Sequence, residues 1–394
     1  MDIYFAGAEG VNDWDCLIES GITRILNSFF HLQGKGMNQK LMGRWKQRPN
    51  NLKILLDCGA FSFFAKQIDI DWDNKEHRGF VLNYLKRYLR FIDTYGDNLE
   101  GIFNFDIDPL IGIEQVKEWD EKYFKPLEKY LKVFYVHHHH ITRPEQEHIL
   151  IENYGSRFNY EIIRFQELAR QHKCIAISET CHPFSSGVGS YDWNDDKFIR
   201  FACDIAKEKN CLIHALAQTK NSIFERYTFY SVDSSSWLSG GKYGTTFYFD
   251  GQRMRSFNPQ QKYKRKMFYP LYKRWGIDIN RIEMDVRNEV NKANTIMWKY
   301  WSVYLKLRKA HKMWWMNEEQ QRKVFNRCMI DLQAIKMKGV SLENSVSHRK
   351  ERTGLIKQKI LRKQVDKIQV DNVVRDNKKI KDLHRPRKKD IDIL

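Results

Sequence analysis

Short apolar runs alternate with amphipathic helical stretches over the first two thirds of the chain, and this alternation constrains the fold more than any other feature. Strands that are separated by helices form a parallel sheet. Eight strands over about 235 residues match a TIM (β/α)8 barrel in number and length. A doubly wound open sheet is the alternative, but the first strand is followed by Gly7-Ala8-Glu9-Gly10 and not by G-x-G-x-x-G. We predict strands at residues 3–8, 25–30, 53–56, 101–105, 133–136, 174–177, 212–216 and 229–232.

Apolar residues three and four apart predict the helices between these strands. The clearest case has the pattern Phe80, Val81, Tyr84, Leu85, Tyr88, Leu89 and Ile92. Similar patterns lie near residues 113–130, 160–172 and 198–209. The alternation stops near Tyr248, and residues 282–307 favour one long helix that carries Trp298, Tyr300, Trp301 and Tyr304. We therefore predict a barrel catalytic domain at 1–255, a helical, Trp-rich basic extension at 256–345 and a basic C-terminal arm at 346–394.

The charge of the chain points to a polyanionic partner. The formal net charge is +18 and the pI is near 9.4, which is typical of proteins that bind nucleic acid or an anionic surface. Residues 349–394 hold sixteen Lys or Arg and seven Asp or Glu, a net charge of +9. No run is long and apolar enough to span a bilayer. Seven scattered Cys and a start without a secretory pattern predict reduced thiols in the cytoplasm.

Two segments place an Asp where an apolar strand gives way to small residues. One is LLDCGAFSFF around Asp57 and the other is YSVDSSSWLSGG around Asp233. A carboxylate in this position is costly unless it is used or well hydrogen-bonded, and barrel enzymes carry their catalytic groups at such strand ends. Two of them favour paired-carboxylate chemistry at a sugar carbon. The alternative is that both residues cap helices or fix turns.

Both segments resemble motifs of a known enzyme family. LLDCGAFSFF is similar to the DSGAFS-type motif of the phage deazaguanine–DNA transglycosylases, the DpdA family, which are similar to tRNA-guanine transglycosylases with their DSGG motif. YSVDSSSW resembles the family's second acidic motif, in which an Asp is the nucleophile. The resemblance covers residues 3–251. It implies a phage-encoded enzyme that acts in the host cytoplasm.

The resemblance also implies roles for individual residues. Asp233 corresponds to the nucleophile. The segment Phe103-Asn104-Phe105-Asp106-Ile107-Asp108-Pro109 falls where the family places a base-recognising Asp, and we favour Asp106 over Asp108. Ser178 and Ala215 fall where the family has small residues beside the base.

The chain departs from the family at two points. Cys58 stands where the family has Ser, and Ala60 takes the place of the second Gly of the tRNA enzymes. The tRNA enzymes carry a C-x-C-x-x-C…H zinc site after the nucleophile, whereas the only Cys after Asp233 is Cys328. A tetrahedral zinc site of that kind needs several thiolate or imidazole ligands. We predict no metal and no cofactor, and we favour DNA over tRNA as the polymer.

The chemistry can also be argued from the residues. Base exchange breaks a C–N glycosidic bond, and a carboxylate can hold the sugar as a covalent intermediate. We predict Asp233 as this nucleophile and Asp57 as the acid/base that serves the departing and incoming bases. Phe61 and Tyr230 are candidates for stacking on the base, although an aromatic residue at a strand end also suits a core.

Two further groups of side chains invite a functional interpretation. Four consecutive His, residues 137–140, offer two side chains to each face of a strand, which is too few for a metal site on one face. We predict instead that His137 contacts the substrate or a phosphate. Basic residues after the barrel are predicted to hold nucleic-acid phosphates without sequence preference. They are Lys262, Lys264, Arg265, Lys266, Lys273 and Arg274.

The sequence thus favours exchange of guanine in DNA for a 7-deazaguanine base such as preQ0. A barrel mouth cannot reach a base inside a duplex, so the target base must be flipped out or single-stranded. The first alternative is a tRNA-guanine transglycosylase, with the same chemistry on another polymer. The second is a non-catalytic barrel protein that binds nucleic acid.

Overall fold

The computed structural model describes residues 1–33, 38–65, 70–138, 152–178, 196–250, 253–309, 317 and 319–320. Eight parallel strands close into a barrel in chain order. The strands are β1 (Asp2–Ala6), β2 (Arg24–Ser28), β3 (Lys53–Asp57), β4 (Gly101–Phe103), β5 (Lys132–His138), β6 (Cys174–Ser178), β7 (Leu212–Ala215) and β8 (Ser231–Ser234). Because β1 pairs with both β2 and β8, the predicted TIM-type barrel is confirmed and the open sheet is excluded.

Helices surround the barrel and cover its strands. Up to β8 they are α1 (Val11–Glu19), α2 (Phe29–Leu32), α3 (Asn38–Lys46), α4 (Ala60–Ala65), α5 (Lys75–Tyr95), α6 (Asp108–Ile111), α7 (Ile113–Trp119), α8 (Arg157–Gln171), α9 (Asp196–Lys209) and α10 (Asn221–Arg226). The seven apolar residues that predicted α5 are all buried. The helix predicted near 113–130 changes type, because α7 continues as a π-helix at Asp120–Phe124 and a 3-10 helix at Lys125–Lys129. Pro126 lies in the first turn of that last segment, where its missing N–H costs least.

The barrel interior has its own apolar core, separate from the larger core between strands and helices. The strands carry apolar residues on both faces, because the inner face packs in the barrel interior and the outer face packs against the helices. Interior side chains are Tyr4, Leu26, Leu55, Phe103, Phe134, Val136, Cys174 and Ala176. In each strand, these positions alternate with residues that face the helices.

A hairpin and further helices follow β8, and the alternation prediction did not include the hairpin. The elements are α11 (Ser239–Tyr243), β9 (Thr246–Phe249), β10 (Met254–Phe257), α12 (Tyr269–Arg274), α13 (Ile279–Glu283) and α14 (Arg287–Lys309), with 3-10 helices at Ser236–Leu238 and Pro259–Phe268. The predicted boundary at residue 255 lies inside β10. The single helix predicted at 282–307 is wrong at its start, because Asp285 adopts a positive φ of 55° between α13 and α14.

Helix α14 packs directly on the barrel. Trp298 and Trp301 are buried in the main core. The side chain of Asn294 accepts a hydrogen bond from the Phe247 N–H at 2.8 Å and donates to the Thr245 carbonyl at 3.1 Å. Lys306 forms an ion pair of 2.7 Å with Asp2 of β1. The arm at 346–394 lies outside the described residues. Among the described helices, none is long and apolar enough to cross a membrane.

Candidate active site

Strand alternation places four polar side chains at the carboxyl end of the barrel interior. Leu55, Val136 and Ala176 belong to the interior core, so the residues two positions later, Asp57, His138 and Ser178, face the same way. The same alternation applies to Asp233 at the end of β8. Barrel enzymes build their active sites at this end.

The first cluster in this layer is formed by Asp57, Cys58 and Asp106. The Cys58 thiol donates a hydrogen bond of 2.8 Å to Oδ1 of Asp106, and the Gly59 N–H donates one of 3.0 Å to Oδ2 of Asp57. Gly59 has a φ of +94°, and a Cβ there would lie 2.5 Å from the Cβ of Phe30. Only glycine therefore fits this turn, which holds Asp57 and Cys58 at the barrel mouth.

Asp57 has the protonation behaviour of a proton donor. Burial, together with the nearby charges of Asp106 and Asp233, raises its pKa from 3.8 to about 8. Hydrogen bonds from Ser28 and Gly59 oppose this rise without cancelling it. At neutral pH the carboxyl group is therefore mainly protonated. The charge of Asp233 is one of the causes of this rise, so the two predicted catalytic residues are linked electrostatically.

Asp233 is held from one side. Its Oδ1 accepts a hydrogen bond from Nε2 of His214 at 3.1 Å and another from the Ala217 N–H at 2.9 Å. The other ring nitrogen of His214, Nδ1, lies 2.8 Å from Oγ of Ser231. His214 lies on β7, Ala217 follows the carboxyl end of that strand, Ser231 begins β8 and Asp233 lies two residues further along it. The Asp233 residue is only 7% exposed.

Asp106 and Asp108 share one histidine. Nδ1 of His138 contacts Oδ1 of Asp108 at 2.6 Å, and its Nε2 lies 3.1 Å from Oδ2 of Asp106. Burial would lower the pKa of His138, but Asp108 and Asp106 raise it to about 9. Burial would likewise raise the pKa of Asp108, but His138 and Arg164, at 3.1 Å, hold it well below its usual range. Asp108 thus contacts two cationic side chains, His138 and Arg164. Asp106 instead belongs to the cluster with Asp57.

Three residues that were considered as substrate contacts lie away from the carboxyl end of the barrel interior. His137 faces the helices, where its Nε2 lies 2.8 Å from Glu161 and its ring stacks on Phe198. Ala215 packs in the core between strands and helices, whereas its neighbour His214 faces the interior. Tyr230 lies at the opposite, amino end of the barrel, where its hydroxyl accepts a hydrogen bond of 2.6 Å from Lys132.

Two other predicted contacts remain compatible with the site. Ser178 ends β6 and is buried. Phe61 follows the Asp57 turn on α4 and is 50% exposed, so its ring is available to a ligand at the rim. Both remain predictions. His139 and His140 lie outside the described residues.

A metal ion has one possible position among the described residues. One donor atom each from Asp57, Cys58 and Asp106 lies within 4.8 Å of the others. Burial and the charges of Asp106 and Asp57 raise the pKa of Cys58 well above its usual value, so the thiol keeps its proton and donates it to Asp106. A metal would have to displace this proton, because the thiolate is the ligand.

No protein-family model, curated protein or solved structure matches this chain. The resemblance to the deazaguanine transglycosylases therefore rests on the two Asp motifs. The fold rests on the strand pairing described above.

Arg265, one of the basic residues that were predicted to bind phosphates, is buried. Arg265 is 2% exposed, and its guanidinium donates to the Ile282 carbonyl at 3.2 Å and to the Gly244 carbonyl at 3.1 Å, and pairs with Asp285. This side chain joins α13 to α11 and cannot contact a phosphate. Lys262, Lys266, Lys273 and Arg274 are exposed and Lys264 is half-buried, and Lys262 also pairs with Asp285.

Sequence reasoning missed His138, His214 and Arg164. His138 and His214 each stand one position from a residue that was chosen, so a correct assignment of strand faces finds both. Arg164 carried a weaker signal. With Glu161, it places two charged residues three apart on the same face of α8, and both are buried. Buried charges are rarely left unpaired, which points to partners on the barrel.

Proposed function

We propose that this chain is a transglycosylase that exchanges guanine in DNA for a 7-deazaguanine base through a covalent Asp233–sugar intermediate. The observation that carries the proposal is the different surroundings of two carboxyl groups at the carboxyl end of the barrel interior. Asp57 has its pKa raised to about 8, whereas Asp233 accepts two hydrogen bonds on one oxygen. A protonated acid beside a hydrogen-bonded carboxylate is the pairing that glycosidic chemistry uses.

The reaction has two balanced halves. Asp233 attacks C1′ of the nucleotide while the C–N bond breaks, and the departing guanine takes that electron pair and the Asp57 proton. Asp57 then takes the proton from the incoming base, whose nitrogen attacks C1′ and releases Asp233. Asp57 thus acts as acid and then as base, which a pKa near the working pH favours.

Asp106 is the proposed contact for the base. Oδ1 of its carboxylate accepts a hydrogen bond from the Cys58 thiol, and Oδ2 lies beside Nε2 of His138. These contacts fix the position of the carboxylate before a ligand binds. Each carboxylate oxygen has a second lone pair that can accept the N1–H or exocyclic amine of guanine. A 7-deazaguanine has the same edge, so one site serves both bases. The exposed ring of Phe61 at the rim is the proposed stacking partner of the base.

The nucleic-acid contact is proposed for the surface formed by the 3-10 helix at Pro259–Phe268 and helix α12. It carries Lys264, Lys266, Lys273 and Arg274 beside Tyr263, which is 64% exposed. Three of these cations are exposed and Lys264 is half-buried. Cationic side chains next to an exposed aromatic ring suit the phosphates and bases of a single strand. DNA is favoured over tRNA by the motif resemblance and by the missing Cys cluster after Asp233.

Base exchange on defined polymers tests this proposal. The full chain is incubated with radiolabelled guanine and duplex DNA, single-stranded DNA or tRNA, and nucleosides are analysed after addition of preQ0. We expect label in DNA and its replacement by the deazaguanine, and no reaction with Asp233→Asn or Asp233→Ala of unchanged fold. Asp57→Asn should slow both half-reactions by about 10²–10⁴-fold with little loss of DNA affinity.

The outcomes separate the alternatives. Label in tRNA alone would support the tRNA enzyme, and DNA binding without exchange would support the non-catalytic barrel. A covalent adduct trapped on Asp233→Asn, or a normal rate for Asp57→Asn, would remove that residue from its proposed role.

A further inference from the structure

His214 is the interior histidine that the reaction scheme above leaves without a role. It lies on β7 directly opposite Ser231 of β8 in the strand register, and it is completely buried. Its ring packs edge-on against Phe103 and Phe134, with centroids 5.2 and 5.7 Å away. A polar ring among aromatic side chains is costly unless both nitrogens are satisfied, and here each nitrogen has one partner.

The two partners determine which nitrogen carries the hydrogen. Nε2 faces the Asp233 carboxylate at 3.1 Å, and a carboxylate only accepts, so Nε2 must donate. Nδ1 faces the Ser231 hydroxyl at 2.8 Å, which can donate to it. The cross-strand pair therefore forms a directed chain of hydrogen bonds from the Ser231 hydroxyl through His214 to Asp233.

All the hydrogen bonds that the described residues make to Asp233 end on one oxygen. His214 and the Ala217 N–H both bind Oδ1. Ala217 adopts a φ of +52°, which is unfavourable for a residue with a Cβ, and this conformation aims its N–H at the carboxylate. Strain held at a strand end next to a reactive group is a feature of pre-organised sites.

We propose that His214 is the positioning residue of the nucleophile: it fixes Oδ1 of Asp233 and thereby presents Oδ2 to the sugar. This inference rests on the proposed function. Oδ2 forms the bond to C1′ as the C–N bond breaks, and Oδ1 keeps its two hydrogen bonds throughout. In this scheme Asp57 carries out the proton transfers, and His214 contributes only hydrogen bonds.

Two amide substitutions separate positioning from packing. In His214→Gln the amide nitrogen takes the place of Nε2 and still donates to Oδ1, whereas in His214→Asn it takes the place of Nδ1 and reaches only Ser231. Both replace the ring by the same polar group. We expect kcat for base exchange to fall about 100-fold in His214→Asn, the effect of a misplaced reacting group, and less than 10-fold in His214→Gln. KM for DNA should stay within a factor of two in both, and melting temperatures should fall similarly.

Equal losses in the two variants would overturn the proposal and leave His214 with a packing role. Full exchange activity in His214→Asn would do the same while leaving the transglycosylase proposal intact. A wild-type protein that exchanges no base on any polymer would end the proposed function instead.

The hydrogen-bond direction is tested without turnover by NMR of protein labelled with ¹⁵N-histidine. The chain has 13 His, and the His214 signal is the one absent from His214→Gln. We expect the proton on Nε2, with a resonance that shifts in Asp233→Asn. A proton on Nδ1 alone, or a signal insensitive to Asp233→Asn, would refute the contact in an active or an inactive protein.

Discussion

Replacing Asp57 by Asn should stabilise the protein although it removes the proposed acid. The folded protein holds a proton on Asp57 up to a pKa of about 8, whereas the unfolded chain releases it near 3.8. The unfolded state therefore binds fewer protons between these values, so the free energy of unfolding falls as pH rises through this window. Each pH unit corresponds to about 1.4 kcal/mol, which gives an upper limit of about 4 kcal/mol at pH 7.

Part of this effect is shared with other groups. Asp106 and Asp233 also raise the pKa of Asp57, and each adjusts when Asp57 changes. We therefore expect Asp57→Asn to gain about 2–4 kcal/mol at pH 7. The Asn side chain needs no proton and its oxygen can still accept the Gly59 N–H. The gain should disappear below pH 4 and reach its maximum above pH 8.

Asp108→Asn is the matched control, since the same substitution at another buried Asp should have the opposite sign. His138 and Arg164 hold the pKa of Asp108 low, so its stabilising contribution is present at neutral pH and is lost only in acid. Its removal leaves two buried cations without this partner and should cost about 3–5 kcal/mol.

Urea unfolding of the wild type and both variants at pH 5.5, 7.0 and 8.5 measures these changes. Midpoints should move in opposite directions, and the gain of Asp57→Asn should grow with pH. A destabilised Asp57→Asn protein at pH 7, or a gain independent of pH, would mean that Asp57 is ionised in the fold. The assignment of Asp57 as the proton donor would then fail.

Three further outcomes follow from the surface and the metal position. Arg265→Ala should lower the free energy of unfolding by about 3 kcal/mol. Lys264→Ala should leave the free energy of unfolding unchanged and reduce the salt dependence of DNA binding, measured by titration. Equal stability of the two variants would contradict the buried role of Arg265. Deleting residues 349–394 should weaken DNA binding and flatten the log–log plot of affinity against salt concentration, without lowering turnover at saturating DNA. A truncated, folded protein with an unchanged slope and no turnover would assign the arm to the active site. Purified protein should hold no stoichiometric metal, as measured by mass spectrometry after dialysis against a chelator. An ion that is retained by the wild type and lost in Cys58→Ala would place a metal at the barrel mouth.

The barrel could be predicted from the sequence because its signal is distributed over many residues. Eight apolar runs separated by helical patterns leave few architectures, and β1 to β8 each appear within a few residues of the predicted positions. Asp57 and Asp233 were found for a similar reason, since a carboxylate after an apolar run is conspicuous. Their proximity then follows from the closure of the sheet.

The facing of individual strand residues could not be predicted in the same way. Val133, Phe134, Tyr135 and Val136 are all apolar because both faces of β5 are covered. The sequence therefore carries no alternation that separates His137 from His138. Because neighbouring residues of a strand face opposite sides, the choice of His137 instead of His138 selects a side chain that faces the helices and not the barrel interior.

Burial within a basic run is equally hidden. Arg265 stands among Lys262, Lys264 and Lys266, and sequence composition treats all four alike. Contacts with Gly244, Thr246, Ile282 and Asp285, which lie about 20 residues away in sequence, make Arg265 a structural residue.

The pairing of β1 with β8 also governs how the chain folds during synthesis. Asp2 lies opposite Ser231, so the ribosome must add more than 200 residues before the first strand meets its second neighbour. At roughly 5–20 residues per second, this takes on the order of ten to fifty seconds. During that time β1 and the most recent strand present open edges, which attract other strands. Because Asp233 belongs to β8, the pairing that removes these edges also brings the proposed nucleophile into the barrel. A chain that stalls before residue 231 therefore has neither a closed barrel nor the proposed nucleophile.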